Sequence, residues 1–305
     1  MAKNIEKNPF SLYDFLGHFI PGALFLIIFF TMLQGYNESD FENFSTLKFY
    51  DISTYTHLLK GISNFNMGFI SVSFILSAYI SGNVISYISS QTIEKILTRM
   101  FGYPSKWLLE KEDHKKCIWK NYFNINRNLS VKAKLGLIFL LIVNIIITFP
   151  VCLLISICEM SFEITKYITN PLDDKIISAI KNKEELLAKK LLIDDYSKIN
   201  DFHRVIMHYV YMNLEKSDIK TDNYIALYGF FRSITLILCL YFDFLVVMGI
   251  KSITYTYNTI IDFQSIIFIA TIGMLSFIIF MAFVKFYRRF TLENYMMLLC
   301  DTNIT

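Results

Sequence analysis

The sequence predicts an all-α, polytopic integral membrane protein with two transmembrane hairpins, or four spans, and one further membrane-inserted segment. Three observations lead to this expectation: the overall hydrophobicity, apolar runs of bilayer-spanning length, and basic segments between those runs. Hydrophobic residues make up 54% of the 305 positions, and the mean hydropathy is +0.43. Ordinary soluble domains are only about 45–50% apolar. With 11 Gly and 5 Pro, the chain is not a low-complexity or collagen-like sequence.

The C-terminal hairpin, residues 225–289, is the clearest membrane signal. Its apolar runs cover about 228–250 and 266–286, and a span needs about 20 apolar residues. A hairpin brings the basic residues at the start of the first run and after the second to one side. Positive flanks mark the cytoplasmic side. The predicted topology anchors are Arg232, Lys285, Arg288 and Arg289.

The N-terminal hairpin, residues 1–90, has spans at about 15–33 and 68–90 joined by an acidic loop, 34–67, expected outside. No small-residue cleavage site follows the first run, so we interpret it as a span and not a signal peptide. Pro21-Gly22 should loosen its helix, which neighbouring helices can tolerate. The N-terminus is predicted to be cytoplasmic, in a multi-pass protein of the plasma (inner) membrane.

Small residues recur every four positions along the second span. Such a small-xxx-small pattern lets helix backbones approach closely, and it predicts a helix-packing face and a homo-oligomer. A polar pore lining is the alternative. The predicted packing face consists of Ser73, Ser77, Ser81, Ala78, Gly82 and Ser86.

The region between the hairpins begins with a basic segment, 91–133, that carries nine Lys and Arg residues. The preference for positive charge on the cytoplasmic side explains this charge, so nucleic acid is not an expected partner. Besides the lipid bilayer, a cytoplasmic protein is an expected partner, through 91–133 or 172–214.

Residues 135–158 form the most apolar run and allow two interpretations. A fifth span fits the length of the run, but it would place 159–224 and the basic C-terminal end of the last span outside. A re-entrant or buried helical hairpin broken at Pro150 keeps both basic regions inside. The sequence leaves the choice open.

Residues 159–224 are predicted to form a small helical soluble region, and 290–305 a tail. Asn170-Pro171 resembles a helix start, with Asn as the cap and Pro at the first helical position. A second helix is predicted at 202–214. The apolar stripe of the first helix consists of Ile176, Ile177, Ile180, Leu187 and Leu191.

Polar residues inside the spans are the candidates for a site. Asp243 lies near the middle of the third span, where a carboxylate costs about 2.5–3.5 kcal/mol on insertion scales. It either handles protons or ions or makes a structural hydrogen bond. Asp14 and His18 share a helical face at i, i+4 spacing. Asn83 and Asn144 can bond across helices.

No sequence motif predicts catalysis, a cofactor or a metal. Five cysteines without a CxxC pair argue against a disulfide or zinc framework. His203 and His208 are five residues apart, which is the wrong spacing for two ligands on one helical face. The chain is therefore expected to be non-enzymatic.

Three short motifs lie in the predicted spans: D-x(6)-P-G from Asp14 to Gly22, A-Y-x-x-G from Ala78 to Gly82, and F-F-R-S at 230–233. In these motifs the chain resembles a loosely defined group of uncharacterised bacterial multi-pass membrane proteins. The resemblance covers about half of the chain. It implies four spans, with both termini and the central region cytoplasmic, and an association with phage-defence genes.

These observations lead to three function hypotheses. The first is an oligomeric membrane effector or scaffold, with a role in anti-phage defence. The second is a small ion channel or transporter that uses Asp243. The third, a membrane-embedded enzyme, has the least support from the sequence.

Overall fold

The structure is a computed structural model that describes residues 14–37, 67–109, 118–124, 130–193, 199, 202–213, 218–255 and 263–302. No strand occurs among these residues, and four helical stretches are long and apolar enough to cross a membrane. The prediction of an all-α polytopic membrane protein is confirmed. Most of the acidic loop 34–67 lies outside the described residues, as does Cys117; the other four cysteines are free thiols.

The N-terminal pair consists of a π-helical turn, Phe15–Phe19, that leads directly into α1 (Ile20–Asn37), and of α2 (Met67–Gln91). The N–H of Ile20 bonds five residues back to the carbonyl oxygen of Phe15. Pro21 follows at once and has no N–H, so it cannot continue the regular hydrogen-bond ladder, and a widened turn is a common way to absorb such a break. The loosening expected at Pro21-Gly22 thus lies in the turn before them.

The second helix of this pair leads into short helices at one end of the bundle. They are α3 (Ile93–Met100), α4 (Pro104–Leu109) and α5 (Ile118–Tyr122). Helix α3 buries Ile93, Ile96 and Leu97, which recur at helical spacing and face the main hydrophobic core.

An apolar segment then bends sharply. Helix α6 (Val131–Ile147) and helix α7 (Phe149–Phe162) meet at Thr148 at an angle of 86°. Thr148 donates its hydroxyl to the carbonyl oxygen of Asn144 at 2.7 Å, and Pro150 occupies the first turn of α7, where a missing N–H is tolerated. The break predicted at Pro150 therefore lies two residues earlier. Neither a straight span nor an antiparallel hairpin describes this segment.

A helical layer follows α8 (Ile164–Ile168). It contains α9 (Asp174–Lys190), α10 (Phe202–Asn213) and α4, packed against the C-terminal end of the last helix. The predicted start of α9 at Pro171 is wrong by three residues. The carboxylate of Asp173 accepts from the N–H of Lys175 at 2.9 Å and caps the helix instead.

The C-terminal pair consists of α11 (Asp218–Tyr255) and α12 (Phe263–Cys300), each 38 residues long. At 1.5 Å per residue each helix is about 57 Å long, roughly twice the thickness of the hydrocarbon core. The two helices pack closely, because Gly273 leaves room for the ring of Phe242. Helix α12 continues through most of the predicted tail, where Tyr295 and Leu298 are buried in the core of the helical layer.

The stretches that precede and follow the bent segment meet at the helical layer. The N–H of Leu172, after the segment, donates to the carbonyl oxygen of Leu108, before it, at 3.1 Å. Tyr295 of α12 donates its hydroxyl to the carbonyl oxygen of Ser105 at 3.3 Å. Residues on both sides of the bent segment, Leu108 and Leu172, are therefore neighbours in the fold.

Candidate functional site: a buried arginine junction

The three sequence motifs meet at one junction of helices. A Cβ added to Gly22 would overlap the carbonyl oxygen of Ala78 and lie 2.6 Å from the backbone nitrogen of Gly82. A Cβ on Gly82 would overlap the carbonyl oxygen of His18. Only glycine permits this backbone-to-backbone contact between the π-helical turn, α1 and α2. Ser81 adds a long hydrogen bond to the carbonyl oxygen of Gly22 at 3.4 Å.

Arg232 of α11 fills the centre of this junction, with 8% of its surface exposed. Its Nε donates to the Oγ of Ser89 at 3.2 Å, and its Nη2 donates to the carbonyl oxygen of Ser86 at 3.4 Å. Its Nη1 forms a hydrogen-bonded ion pair with Glu94 in the first turn of α3. The guanidinium also lies over the ring of Tyr228, 5.9 Å from its centroid. The arginine thus links α2, α3 and α11.

The hydroxyl groups around Arg232 are also satisfied. Ser89 donates to the carbonyl oxygen of Ser86 at 2.9 Å, and its Oγ lies 3.4 Å from the Oγ of Ser233. A buried guanidinium is tolerated only when it is paired and hydrogen-bonded, and these contacts meet that requirement. Among the described residues, the hydrogen-bond partners of Ser89 and Ser233 are Arg232, the Ser86 carbonyl and each other. The chemistry of the junction is that of a structural clamp.

A second buried polar network holds the bent segment beside the end of α2. Asn144 of α6 donates through Nδ2 to the carbonyl oxygen of Thr92 and to the hydroxyl of Tyr122, both at 3.3 Å. Tyr122 in turn donates to the carbonyl oxygen of Leu141 at 3.1 Å. Trp119 donates to the Oγ of Ser156 on α7 at 3.2 Å. Both arms of the bend are therefore attached to α5.

The polar residues proposed for an intramembrane ion site do not form one cluster. Asn83 is exposed and donates to the carbonyl oxygen of Tyr79 in its own helix at 2.8 Å. Asp243 is half-buried on α11, eleven residues beyond Arg232, which is about 16 Å along the helix. Asp14 and His18 lie at the π-helical turn.

His18 is close to the junction, because its imidazole interacts electrostatically with both Asp14 and Arg232. Its ring meets the ring of Tyr79 edge-on, with centroids 6.3 Å apart. The predicted Asp14/His18 pair is therefore part of the arginine junction, away from Asp243 on the third span.

The predicted packing face divides into two registers. Ala78, Gly82 and Ser86 are buried, whereas Ser73 and Ser81 are half-buried and Ser77 is exposed. The first register is the one that contacts other helices of the same chain, and it continues to Ser89. Ser77 points away from that contact.

The predicted topology anchors differ in their surroundings. Arg232 is buried and paired, as just described. Arg288 of α12 is half-buried and donates to the carbonyl oxygen of Asn170 at 2.7 Å, while Lys285 and Arg289 are exposed. Lys285, Arg288 and Arg289 all border one cavity.

Two buried polar residues of the helical layer were missed by the sequence analysis. Glu184 has 8% of its surface exposed, and burial raises the pKa of its carboxyl group to about 7, although the nearby Lys181 opposes this. Its position four residues after Ile180 on the apolar stripe was a usable signal. Asn294 of α12 is 1% exposed, and its amide has no hydrogen-bond partner among the described residues. Nothing in its sequence context distinguishes it.

No group of three His, Cys, Asp or Glu side chains could hold a metal ion in the part of the chain that the structure describes. Comparison with models of protein families, with curated proteins and with solved structures found no match.

Proposed function

We propose that this integral membrane protein is a non-enzymatic, oligomeric effector or scaffold of the plasma membrane. The observation that carries the proposal is the length of α12, which runs unbroken from the apolar bundle into the helical layer. A partner that binds the layer would act on the same helix that contacts lipid. A role in anti-phage defence rests on the resemblance of the three motifs.

The proposed topology has four crossings, with α6 and α7 as a re-entrant segment. The hydrogen bond from Leu172 to Leu108 supports it, because a single crossing would separate these residues by a bilayer. The helical layer then lies on the same side as Lys285, Arg288 and Arg289. By the charge rule this side is the cytoplasm. The contact of Gly82 with His18 supports the same side for the N-terminal end of the first span.

Cysteine accessibility tests the topology. Single cysteines replace Ser178 or Thr302, which are both exposed, in a background cleared of the five native cysteines. A third variant at Ser45, in the acidic loop, serves as the expected outside control. Labelling of the first two only from the cytoplasm, and of the third only from outside, is the expected pattern. Labelling of Ser178→Cys from outside would make the bent segment a fifth span.

Oligomerisation is tested on the exposed register of α2. Ser77 is exposed on the surface of this chain, so Ser77→Leu should leave the fold intact. If that register packs against a second copy, the variant should shift the protein from oligomer to monomer in light scattering of the detergent-solubilised protein. An unchanged mass would remove this face from the interface.

The effector role is tested in cells. Expression of the chain at native level should leave membrane potential unchanged, and phage infection should then depolarise or arrest the cells. A strain that carries the buried-junction variant Arg232→Gln serves as the inactive control. Equal phage plating with and without the gene would remove the defence role.

An ion channel or transporter is the second candidate, because Asp243 is a half-buried carboxylic acid in the middle of a span. Flux of protons and alkali cations is measured in liposomes that contain the purified protein. Loss of flux in Asp243→Asn, with normal assembly, would favour the channel. Equal flux in the two proteins would exclude a role for this side chain.

A further inference from the structure

A cavity of about 590 Å³ lies between α8 and the middle of α12. Its volume falls within the roughly 300–1,000 Å³ that is typical of small-ligand sites. Residues in and just after α8 line it on one side, and α12 lines it on the other. Its lining residues are Tyr167, Ile168, Asn170, Met281, Ala282, Val284, Lys285, Arg288, Arg289 and Leu292.

The charged side chains that line this cavity are all positive. Lys285, Arg288 and Arg289 line it, and no carboxylate is among the described residues that do. Arg288 uses one N–H on the carbonyl oxygen of Asn170, which fixes the guanidinium at the wall of the cavity. A guanidinium has five N–H donors in a planar fork, so the remaining ones suit the oxygens of a phosphate group.

The cavity also changes from apolar to basic along α12. Met281, Ala282 and Val284 form the part that belongs to the last apolar run, and Lys285, Arg288 and Arg289 form the next turns. Tyr167 stands at the rim with 77% of its surface exposed, and tyrosine is enriched at the level of lipid headgroups. A ligand that fits both parts has acyl chains on one side and an anionic group on the other.

We propose that this cavity binds the headgroup of an anionic phospholipid, with the phosphodiester between Lys285, Arg288 and Arg289. The upper acyl carbons then lie along Met281 and Ala282. Basic pockets beside transmembrane helices are known to take anionic headgroups by the same combination of charge and depth. A zwitterionic lipid is disfavoured, because its ammonium group would meet three cations.

The test measures lipid-dependent thermal stabilisation of the full-length protein in detergent. Phosphatidylglycerol is titrated against phosphatidylcholine with the same acyl chains, and glycerol 3-phosphate is titrated as a soluble phosphate. We expect the melting temperature to rise with phosphatidylglycerol alone, because only a ligand of the folded state stabilises it. Equal stabilisation by glycerol 3-phosphate would overturn the lipid assignment in favour of a soluble phosphate, and equal stabilisation by the two lipids would overturn the charge selectivity.

Two variants separate a shaped site from a merely basic surface. Replacement of Lys285, Arg288 and Arg289 by Gln should weaken the apparent affinity for phosphatidylglycerol on the order of 100-fold. The matched control replaces three exposed lysines of α9, Lys175, Lys181 and Lys189, by Gln and changes the net charge equally.

Ala282→Trp keeps every charge and fills the apolar part of the cavity. It should abolish the selective stabilisation while leaving the melting temperature without lipid unchanged. Retention of the full phosphatidylglycerol effect in Ala282→Trp would overturn the cavity as the site, as would an equal loss in the α9 control. Bound-lipid mass spectrometry of the purified protein gives an independent measurement: phosphatidylglycerol should remain with the wild type and be absent from the triple variant.

Discussion

The buried carboxyl group of Glu184 should make the stability of the helical layer depend on pH. Burial raises its pKa from 4.5 to about 7, because the charged form loses its hydration among the apolar side chains of α9. The unfolded chain releases this proton near pH 4.5, whereas the folded chain holds it until about pH 7. Between these values the folded state binds more protons, so the free energy of unfolding falls as the pH rises.

The magnitude follows from the two pKa values. A difference of 7 − 4.5, or about 2.5 units, at 1.36 kcal/mol per unit gives a loss of about 3 kcal/mol that is complete above pH 7. The contribution is fully favourable below pH 4.5. Glu184→Gln keeps a similar shape without a proton to lose, so we expect it to equal the wild type near pH 4.5 and to exceed it at pH 8.

The assay is hydrogen exchange of the α9 backbone in the detergent-solubilised protein, converted to opening free energies after correction for the intrinsic rate at each pH. Glu185→Gln is the matched control. This neighbour is exposed and pairs with Lys189 at 2.8 Å, so the variant removes one carboxylate from the same helix without removing a buried one. Wild type and Glu184→Gln with the same pH dependence would refute the reasoning, as would a flat profile for Glu185→Gln.

Three further experiments test the junction and the layer. Gly82→Ala places a Cβ on the carbonyl oxygen of His18 and should lower the melting temperature in thermal unfolding. Gly136→Ala is the matched control, because its added Cβ meets no atom within 4 Å. It should raise stability by roughly 0.5–1 kcal/mol in the same assay. Glu94→Ala leaves the buried guanidinium of Arg232 without its ion-pair partner and should cost roughly 3–5 kcal/mol of unfolding free energy. Adding Arg232→Met to this variant should recover most of that loss. Strict additivity in the double-mutant cycle of Glu94 and Arg232 would contradict a paired role. Asn294→Leu removes a buried amide that lacks a hydrogen-bond partner among the described residues, so it should stabilise the protein by about 1–3 kcal/mol in chemical unfolding. A loss of stability would instead mean that the amide has a hydrogen-bond partner in the protein in solution.

The spans could be predicted from the sequence because length and hydropathy are properties of each segment alone. The runs at 228–250 and 266–286 lie inside α11 and α12. The ends of these helices could not be predicted in the same way. Beyond Phe286 the residues are mixed in polarity, and what continues the helix is burial of Tyr295 and Leu298 against α9 and α10.

The site could be predicted only in part, because its pairing is tertiary. The sequence marks Arg232 as a cation at the start of a span, and a snorkelling side chain or an acidic partner both satisfy that observation. Its partner, Glu94, is 138 positions away and lies in a short helix that no long apolar run in the sequence predicts. The glycines of the first two motifs were visible as small residues, but which of the two registers of α2 makes the contact depends on the rotation of the helix.

The bent segment illustrates what charge and length each contribute to the proposed topology. Residues 135–158 are numerous enough for one span, but a residue count carries no direction. An 86° turn at Thr148 divides the segment that contains this run into α6 and α7, which have 17 and 14 residues. At 1.5 Å per residue these arms measure about 25 and 21 Å, so each is shorter than the hydrocarbon core of about 30 Å. The positive charges on either side of the segment indicate on which side of the membrane its two ends lie, and they say nothing about its length. Because the bond between Leu172 and Leu108 joins the stretches that precede and follow the segment, the parity of the charges and the geometry of the chain both favour the proposed four crossings.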